Sequence, residues 1–116
     1  MNTKISYLYR DADNYKVHNE CIIEGELTEQ QIETIMDCCD CGEYFIPGQV
    51  GMPERKFDEY DSEADHCWFE LSREGFEQTS RPADISLTAE QLVSNFSVCK
   101  DNWQDGEEYM ADGMTM

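Results

Sequence analysis

The chain has 116 residues, and its 26 Asp and Glu residues against 8 Lys and Arg residues give a formal net charge of −18. A chain of this length has room for one hydrophobic core. Its composition, 40% hydrophobic with 11% aromatic residues, is too apolar for an acidic disordered protein. The charge argues against direct binding to nucleic acid or to anionic membranes, because the field of the whole protein repels phosphate.

The sequence also indicates a compartment. No stretch approaches the roughly 18 apolar residues of a membrane span, and the opening MNTKISY lacks the apolar run of a signal peptide. We therefore expect a cytoplasmic protein. In a reducing compartment its cysteines are expected to be free thiols or metal ligands rather than disulfides. The six are Cys21, Cys38, Cys39, Cys41, Cys67 and Cys99.

The first predicted element is a β-hairpin. Residues 3–10 place Ile5, Tyr7 and Tyr9 on one side of a strand, and residues 15–23 alternate in the same way. The segment Asp11–Asn14 between them has turn chemistry.

Two helices are predicted from matching start signals. Thr28 with Gln31, and Thr88 with Gln91, each form a capping box flanked by an apolar pair. Apolar residues then recur at helical spacing, so we expect helices at about 29–40 and 89–101. Gly42 stands where the first helix would stop.

The remaining elements are shorter. In chain order we expect a short strand at 44–46, a loop at 49–55, an irregular acidic segment at 57–66, a strand at 67–71, a turn at 73–75 and a returning strand at 76–79. The order ββα, short β, ββ, α predicts one α+β domain over residues 1–103, with a mainly antiparallel sheet and two helices packed on one face. Residues 104–116 show no periodicity and are expected to form a mobile acidic tail.

Acidic residues form the largest departure from average composition. Glu29, Glu33 and Asp37 recur every four residues on the polar side of the first predicted helix, and Asp40 follows three residues later. Like charges at this spacing repel, so helix stability does not explain them. The irregular segment adds Asp58, Glu59, Asp61, Glu63 and Asp65. Together these carboxylates are candidates for a phosphate-like binding surface, with Tyr60 and Trp68 as apolar anchors.

A second interpretation is a zinc site. Cys38 and Cys41 have Cys-x2-Cys spacing, and with His66 and Cys67 they provide four ligands of the right chemistry. We favour the interpretation that these cysteines are plain reduced thiols, and we therefore expect no cofactor. Zinc is the alternative. Catalysis is not predicted, because no nucleophile stands in a recognisable motif and His18 lies on the polar side of a strand.

Three stretches carry a resemblance: ISYLYRDADNYK at 5–16, GEYFIPGQVGMPERKFD at 42–58 and ADHCWFEL at 64–71. They resemble an uncharacterised group of short acidic proteins encoded in bacteria and on their mobile elements, for which no chemistry is known. The cluster of Cys38, Cys39 and Cys41 is not part of that pattern. In size and acidity the chain is also similar to phage-encoded inhibitors such as anti-CRISPR and antirestriction proteins, a likeness of physical type rather than of motif.

These observations predict a non-enzymatic acidic binding protein that engages a basic protein partner. The expected partner is a nucleic-acid-binding enzyme, such as a CRISPR effector or a restriction enzyme, whose basic groove the protein would occupy as an inhibitor. The alternatives are a small zinc-stabilised structural or regulatory module, and an acidic accessory domain with an unrelated protein partner.

Overall fold

A five-stranded antiparallel sheet and three α-helices make up the computed structural model, which describes residues 1–10, 16–54 and 68–103. The α+β class predicted from the sequence is confirmed. In chain order the elements are β1 (Asn2–Arg10), β2 (Lys16–Ile23), α1 (Glu29–Cys38), β3 (Tyr44–Phe45), α2 (Pro47–Val50), β4 (Phe69–Glu70), a 3₁₀ turn (Arg73–Gly75), β5 (Phe76–Thr79) and α3 (Ala89–Cys99).

The predicted hairpin forms as expected. β1 and β2 pair antiparallel without a bulge, from Thr3 opposite Ile23 to Arg10 opposite Lys16. Side chains on a strand point alternately to the two faces, and the inward residues Ile5, Tyr7 and Tyr9 are all less than 5% exposed. The turn residues 11–15 lie outside the described residues.

The predicted returning strand is wrong in its pairing. β4 and β5 both pair antiparallel with β1, so they run in the same direction and do not form a hairpin with each other. The pairs Leu8–Glu70 and Ile5–Phe76 lie three residues apart along β1. Along the segment from β4 to β5 they lie six residues apart. The 3₁₀ turn absorbs the extra residues. At Gly75 a Cβ would collide with the Ser6 carbonyl, so only glycine allows the chain to rejoin β1 there.

The two long helices begin where the sequence predicts. At α1 the Gln31 N–H donates to Thr28 Oγ1 at 3.1 Å, and the Thr28 N–H donates to Gln31 Oε1 at 2.9 Å. The same reciprocal bonds join Thr88 and Gln91 at α3, at 3.1 and 3.0 Å. Both capping boxes are therefore confirmed, while each helix ends two residues earlier than expected.

The short helix α2 replaces part of the predicted loop at 49–55. Pro47 supplies the fixed φ of a first helical residue, and Gly51 ends the turn in the left-handed region at φ +91°. One turn is not stable alone. Packing against α3 supports it, since Asn95 Nδ2 donates to the Val50 carbonyl at 2.9 Å.

The core lies on one face of the sheet, where the helices pack. Phe45 and Phe69 from the sheet and Phe96 from α3 are each 0% exposed, and the rings of Phe45 and Phe96 stack with centroids 5.6 Å apart. Trp103 closes this cluster edge-on to Phe96, and its Nε1 donates to the Cys38 carbonyl at 2.9 Å. The predicted tail at 104–116 lies outside the described residues. Within the described ranges, no helix has the length and apolar content needed to cross a membrane.

Candidate functional site

One face of α1 carries the row of carboxylates that the sequence predicts as a binding surface. Glu29, Glu33 and Asp37 are exposed, and four helical residues separate neighbours by about 6 Å along the axis. The opposite side of the helix packs into the core through Ile35 and Cys38, which are 0% and 5% exposed. Because that packing fixes the rotation of α1, the three carboxylates are held in one row facing solvent.

The row is mostly uncompensated. The Arg73 guanidinium pairs with Glu33, but both side chains are more than half exposed, so the pair contributes about 0–1 kcal/mol. Asp37 lies in the last turn of α1, near the negative end of the helix dipole, and no basic residue in that turn offsets its charge. The row is a local cost to stability.

Asp40, predicted as a continuation of this row, lies beyond the helix. Its backbone N–H donates to the Tyr44 carbonyl at 2.7 Å, and the Tyr44 N–H donates back to Asp40 at 2.9 Å. The tight turn that this closes uses positive φ at Cys41 and Gly42, +53° and +74°. Asp40 is still exposed, so it extends the acidic face past the end of α1.

A second acidic feature is an open groove of about 790 Å³ on the outer face of the sheet. Outward-facing residues of the hairpin line it, among them Ser6, Leu8 and His18. Residues of the β4 strand and the 3₁₀ turn line its other side. Four carboxylates border the groove: Glu20, Glu43, Glu70 and Glu74.

Basic side chains compensate two of the groove carboxylates. Arg10 Nε donates to Glu70 Oε2 at 2.9 Å, and Lys4 Nζ lies 3.6 Å from a carboxylate oxygen of Glu20.

The other two, Glu43 and Glu74, form no ion pair with any residue in the described part of the chain. The Glu43 carboxylate, with smaller contributions from desolvation and Glu70, raises the pKa of the neighbouring Tyr44 hydroxyl. The field at this end of the groove is therefore negative.

The 3₁₀ turn joins the helix row to the groove. Arg73 pairs with Glu33 of α1, and the next residue, Glu74, lines the groove. The Leu71 N–H donates to the Glu43 carbonyl at 2.8 Å, which fixes the segment after Asp40 beside the same turn. We call the combined set the acidic surface. Its members are Glu20, Glu29, Glu33, Asp37, Asp40, Glu43, Glu70 and Glu74.

The predicted loop of the binding surface lies outside the described residues. This applies to Asp58, Glu59, Tyr60, Asp61, Glu63 and Asp65. Trp68, the first residue after that gap, is partly buried, and its ring packs edge-on against Trp103 with centroids 6.2 Å apart. Trp68 therefore has a core role, and only part of its ring is open to a partner.

The two thiols of the Cys-x2-Cys pair lie in different environments. Cys38 is 5% exposed, whereas Cys41 is exposed, with its Sγ 3.7 Å from Asp40 Oδ2. In ranges 1–10, 16–54 and 68–103, no three His, Cys, Asp or Glu side chains are grouped to hold a metal ion. His66 and Cys67 lie outside those ranges, so the zinc set stays a prediction.

Burial makes the other thiols poor nucleophiles. Desolvation raises the pKa of Cys21 and of Cys39 to about 12, and it also raises the pKa of Cys38 and Cys99. The thiolate is the reactive form of cysteine. At neutral pH these four side chains therefore behave as small apolar core residues.

The groove itself is the part of the site that the sequence does not predict. Glu70 and Glu74 are visible as acidic residues of a strand and a turn, but Glu20 and Glu43 join them only through pairing and turn geometry. For Glu20 a signal exists, since it shares the polar strand side of His18. For Glu43 there is none, because its position depends on the turn at Cys41 and Gly42.

Comparisons with known proteins do not add a family. No family model matches the chain, and neither a curated protein nor a solved structure shows a significant match.

Proposed function

We propose that this protein is a non-enzymatic acidic binding protein that works in the cytoplasm and occupies the basic groove of a nucleic-acid-handling protein as an inhibitor. The observation that carries the proposal is the row of exposed carboxylates Glu29, Glu33 and Asp37, held on a helix whose opposite side is buried. The expected partner is an enzyme such as a CRISPR effector or a restriction enzyme, whose DNA or RNA site has the complementary charge.

A rigid support favours binding. Ile35 and Cys38 anchor α1 in the core, and the capping box at Thr28 fixes its start. Because the backbone of α1 is already ordered, only the side chains of its carboxylates lose freedom when a partner docks, so less of the interaction energy is spent on ordering them. Carboxylates on an unstructured chain would not have this advantage.

The arrangement of charge supports imitation of nucleic acid. The helix row has a charge about every 6 Å, which is sparser than the roughly 3.4 Å spacing of charges along one DNA strand. The groove on the outer face of the sheet adds two carboxylates without an ion pair to a described residue, Glu43 and Glu74, and the 3₁₀ turn links it to the row through the pair of Arg73 with Glu33. Acidic side chains from more than one element are a better imitation of a phosphate backbone than the helix alone.

Solubility alone does not account for the charge. A net charge of magnitude about 2–8 keeps a small domain soluble, whereas this chain carries −18. The described residues include 15 of the 26 acidic and 6 of the 8 basic residues, a net charge of −9. Negative charge beyond the amount needed for solubility destabilises the folded state through self-repulsion. This cost favours a functional role for the acidic residues.

The test compares two variants with the same change in net charge. The helix-row variant combines Glu29→Gln, Glu33→Gln and Asp37→Asn. The control variant combines Glu24→Gln, Glu90→Gln and Asp101→Asn, which are exposed residues outside the acidic surface. Wild type and both variants are immobilised and exposed to a lysate of the cells in which the protein occurs. Binding is measured at rising salt concentration, with duplex DNA as a competitor.

We expect wild type and the control variant to retain nucleic-acid-binding proteins that salt and duplex DNA displace, and the helix-row variant to lose them. Equal retention by both variants would contradict the proposal. Retained proteins that DNA does not displace would favour an acidic accessory domain with an unrelated partner. Amide replacements at Asp58, Glu59, Asp61, Glu63 and Asp65 extend the same test to the predicted loop.

A further inference from the structure

The free edge of β2 offers unpaired backbone groups. β2 is the outer strand of the sheet. At one end of it the Ile22 N–H donates to Asp84 Oδ1 at 2.8 Å, and the Ile22 carbonyl accepts from the Asp84 N–H at 3.0 Å. The backbone groups of Ile22 therefore point away from β1. Along a strand, the backbone N–H and C=O groups point to alternate sides with period two, and the pairing of β1 with β2 has no bulge. The backbone groups of Glu20, His18 and Lys16 therefore also point away from β1.

These three residues remain open in the described part of the chain. Their side chains are exposed, and no described residue bonds to their backbone along this edge as Asp84 does at Ile22. An edge strand with free donors and acceptors is a template for another strand.

The two strands of the hairpin differ in charge from the rest of the protein, while the turn between them adds Asp11 and Asp13. β1 and β2 together contain Lys4, Arg10 and Lys16 against one acidic residue, Glu20. This gives the two strands a net charge of +2, whereas the described part as a whole has −9. Ion pairs of Lys4 with Glu77 and of Arg10 with Glu70 offset part of that positive charge. A second copy of the chain therefore meets less repulsion at this edge than the net charge of the protein implies. At physiological salt, charges more than about 8 Å away are largely screened.

We propose that β2 pairs antiparallel with β2 of a second copy, about a two-fold axis at His18. In this register Lys16 of each copy lies opposite Glu20 of the other, and His18 lies opposite its own equivalent. The register uses all three open residues and leaves the Asp84 cap on Ile22 undisturbed. Pairings centred on Lys16 or on Glu20 would instead place like charges opposite each other, which destabilises a sheet. The interface is closed and self-complementary, so it stops at a dimer.

The dimer is tested by sedimentation velocity from micromolar to millimolar concentrations. Wild type is expected to show a monomer–dimer equilibrium that strengthens with added salt, because salt screens the repulsion between two acidic copies. Complex formation under the proposed function has the opposite salt dependence, so the two proposals can fail separately.

Charge reversal tests the register. Lys16→Glu alone and Glu20→Lys alone each place two like-charged pairs in the interface, and each should weaken dimerisation about tenfold. The double variant restores two opposite-charge pairs and should restore dimerisation.

A backbone variant tests the strand pairing itself. His18→Pro removes an N–H that faces away from β1, so the hairpin is retained, as for proline on edge strands, while the added strand is blocked. His18→Thr keeps the N–H and is the matched control. Circular dichroism checks that both are folded, and if His18→Pro does not fold, the charge-reversal series carries the test.

Two results overturn the proposal. One is a wild-type monomer at every concentration and salt level. The other is a dimer that the double charge reversal fails to restore after the single reversals, or that folded His18→Pro leaves unchanged.

Discussion

Replacing Asp37 by Lys should stabilise the protein while removing part of its acidic surface. Asp37 lies in the last turn of α1, four residues after Glu33, and no basic residue occupies that turn. A cation in place of an anion at this end of a helix is worth about 0.3–1 kcal/mol. The repulsion between Asp37 and Glu33 becomes an attraction between Lys at position 37 and Glu33, which adds about 0.4–1 kcal/mol to the free energy of unfolding. We expect a net gain of about 1 kcal/mol in the free energy of unfolding.

The matched control is Glu29→Lys, which changes the net charge by the same amount at the other end of α1. There the loss of a first-turn carboxylate opposes the new attraction to Glu33, so we expect almost no change in stability. Thermal unfolding by circular dichroism measures both variants, and about 1 kcal/mol corresponds to about 5 °C in a domain of this size.

Equal shifts in the melting temperature for the two variants would refute the reasoning, because relief of the overall charge would then dominate over the helix ends. A neutral or destabilised Asp37→Lys variant would refute it as well. Under the proposed function, the stabilised variant should also retain less of the basic partner, so that stability is gained where binding is lost.

Three further predictions concern the fold, the buried thiols and metal binding. Gly75→Ala should destabilise the protein by about 1–3 kcal/mol in urea unfolding, because the new Cβ collides with the Ser6 carbonyl. The pKa of Cys39 is raised to about 12 from an ordinary 9.0, so the folded thiol stays protonated and stability should fall by up to about 1.4 kcal/mol per pH unit between pH 9 and 12. Replacing Cys39 by Ala should reduce that slope. Metal analysis of protein purified without added zinc should find no stoichiometric zinc, since desolvation raises the pKa of the Cys38 thiol and zinc binds the thiolate form.

Each of these has a contradicting result. Gly48→Ala is the control for the turn, because the added Cβ there meets the flexible side chain of Glu54 rather than backbone. A Gly75 variant no less stable than this control would disprove the close approach. If stability falls equally steeply between about pH 9 and 12 after Cys39→Ala, the Cys39 thiol is not the source of that pH dependence. One equivalent of zinc, lost when both Cys38 and Cys41 are changed to Ser, would favour the zinc module over the acidic inhibitor.

Local signals in the sequence determine much of this protein. Alternation around Ile5 and Tyr7 is sufficient to predict the hairpin, and the capping boxes at Thr28 and Thr88 are sufficient to place both long helices. These signals succeed because their physics involves residues close in the chain. The row Glu29, Glu33 and Asp37 is predictable for the same reason, since a helix start and a spacing of four fix its face.

The tertiary structure decides what depends on contacts between distant residues. The 3₁₀ turn allows β4 and β5 to follow one another along β1, and this requires Gly75 to approach Ser6, which is 69 positions earlier in the chain. The groove exists because that pairing brings Glu74 beside Glu20 and Glu43. No local pattern encodes such a register, since its free energy comes from packing and backbone pairing that form only when the whole sheet is assembled.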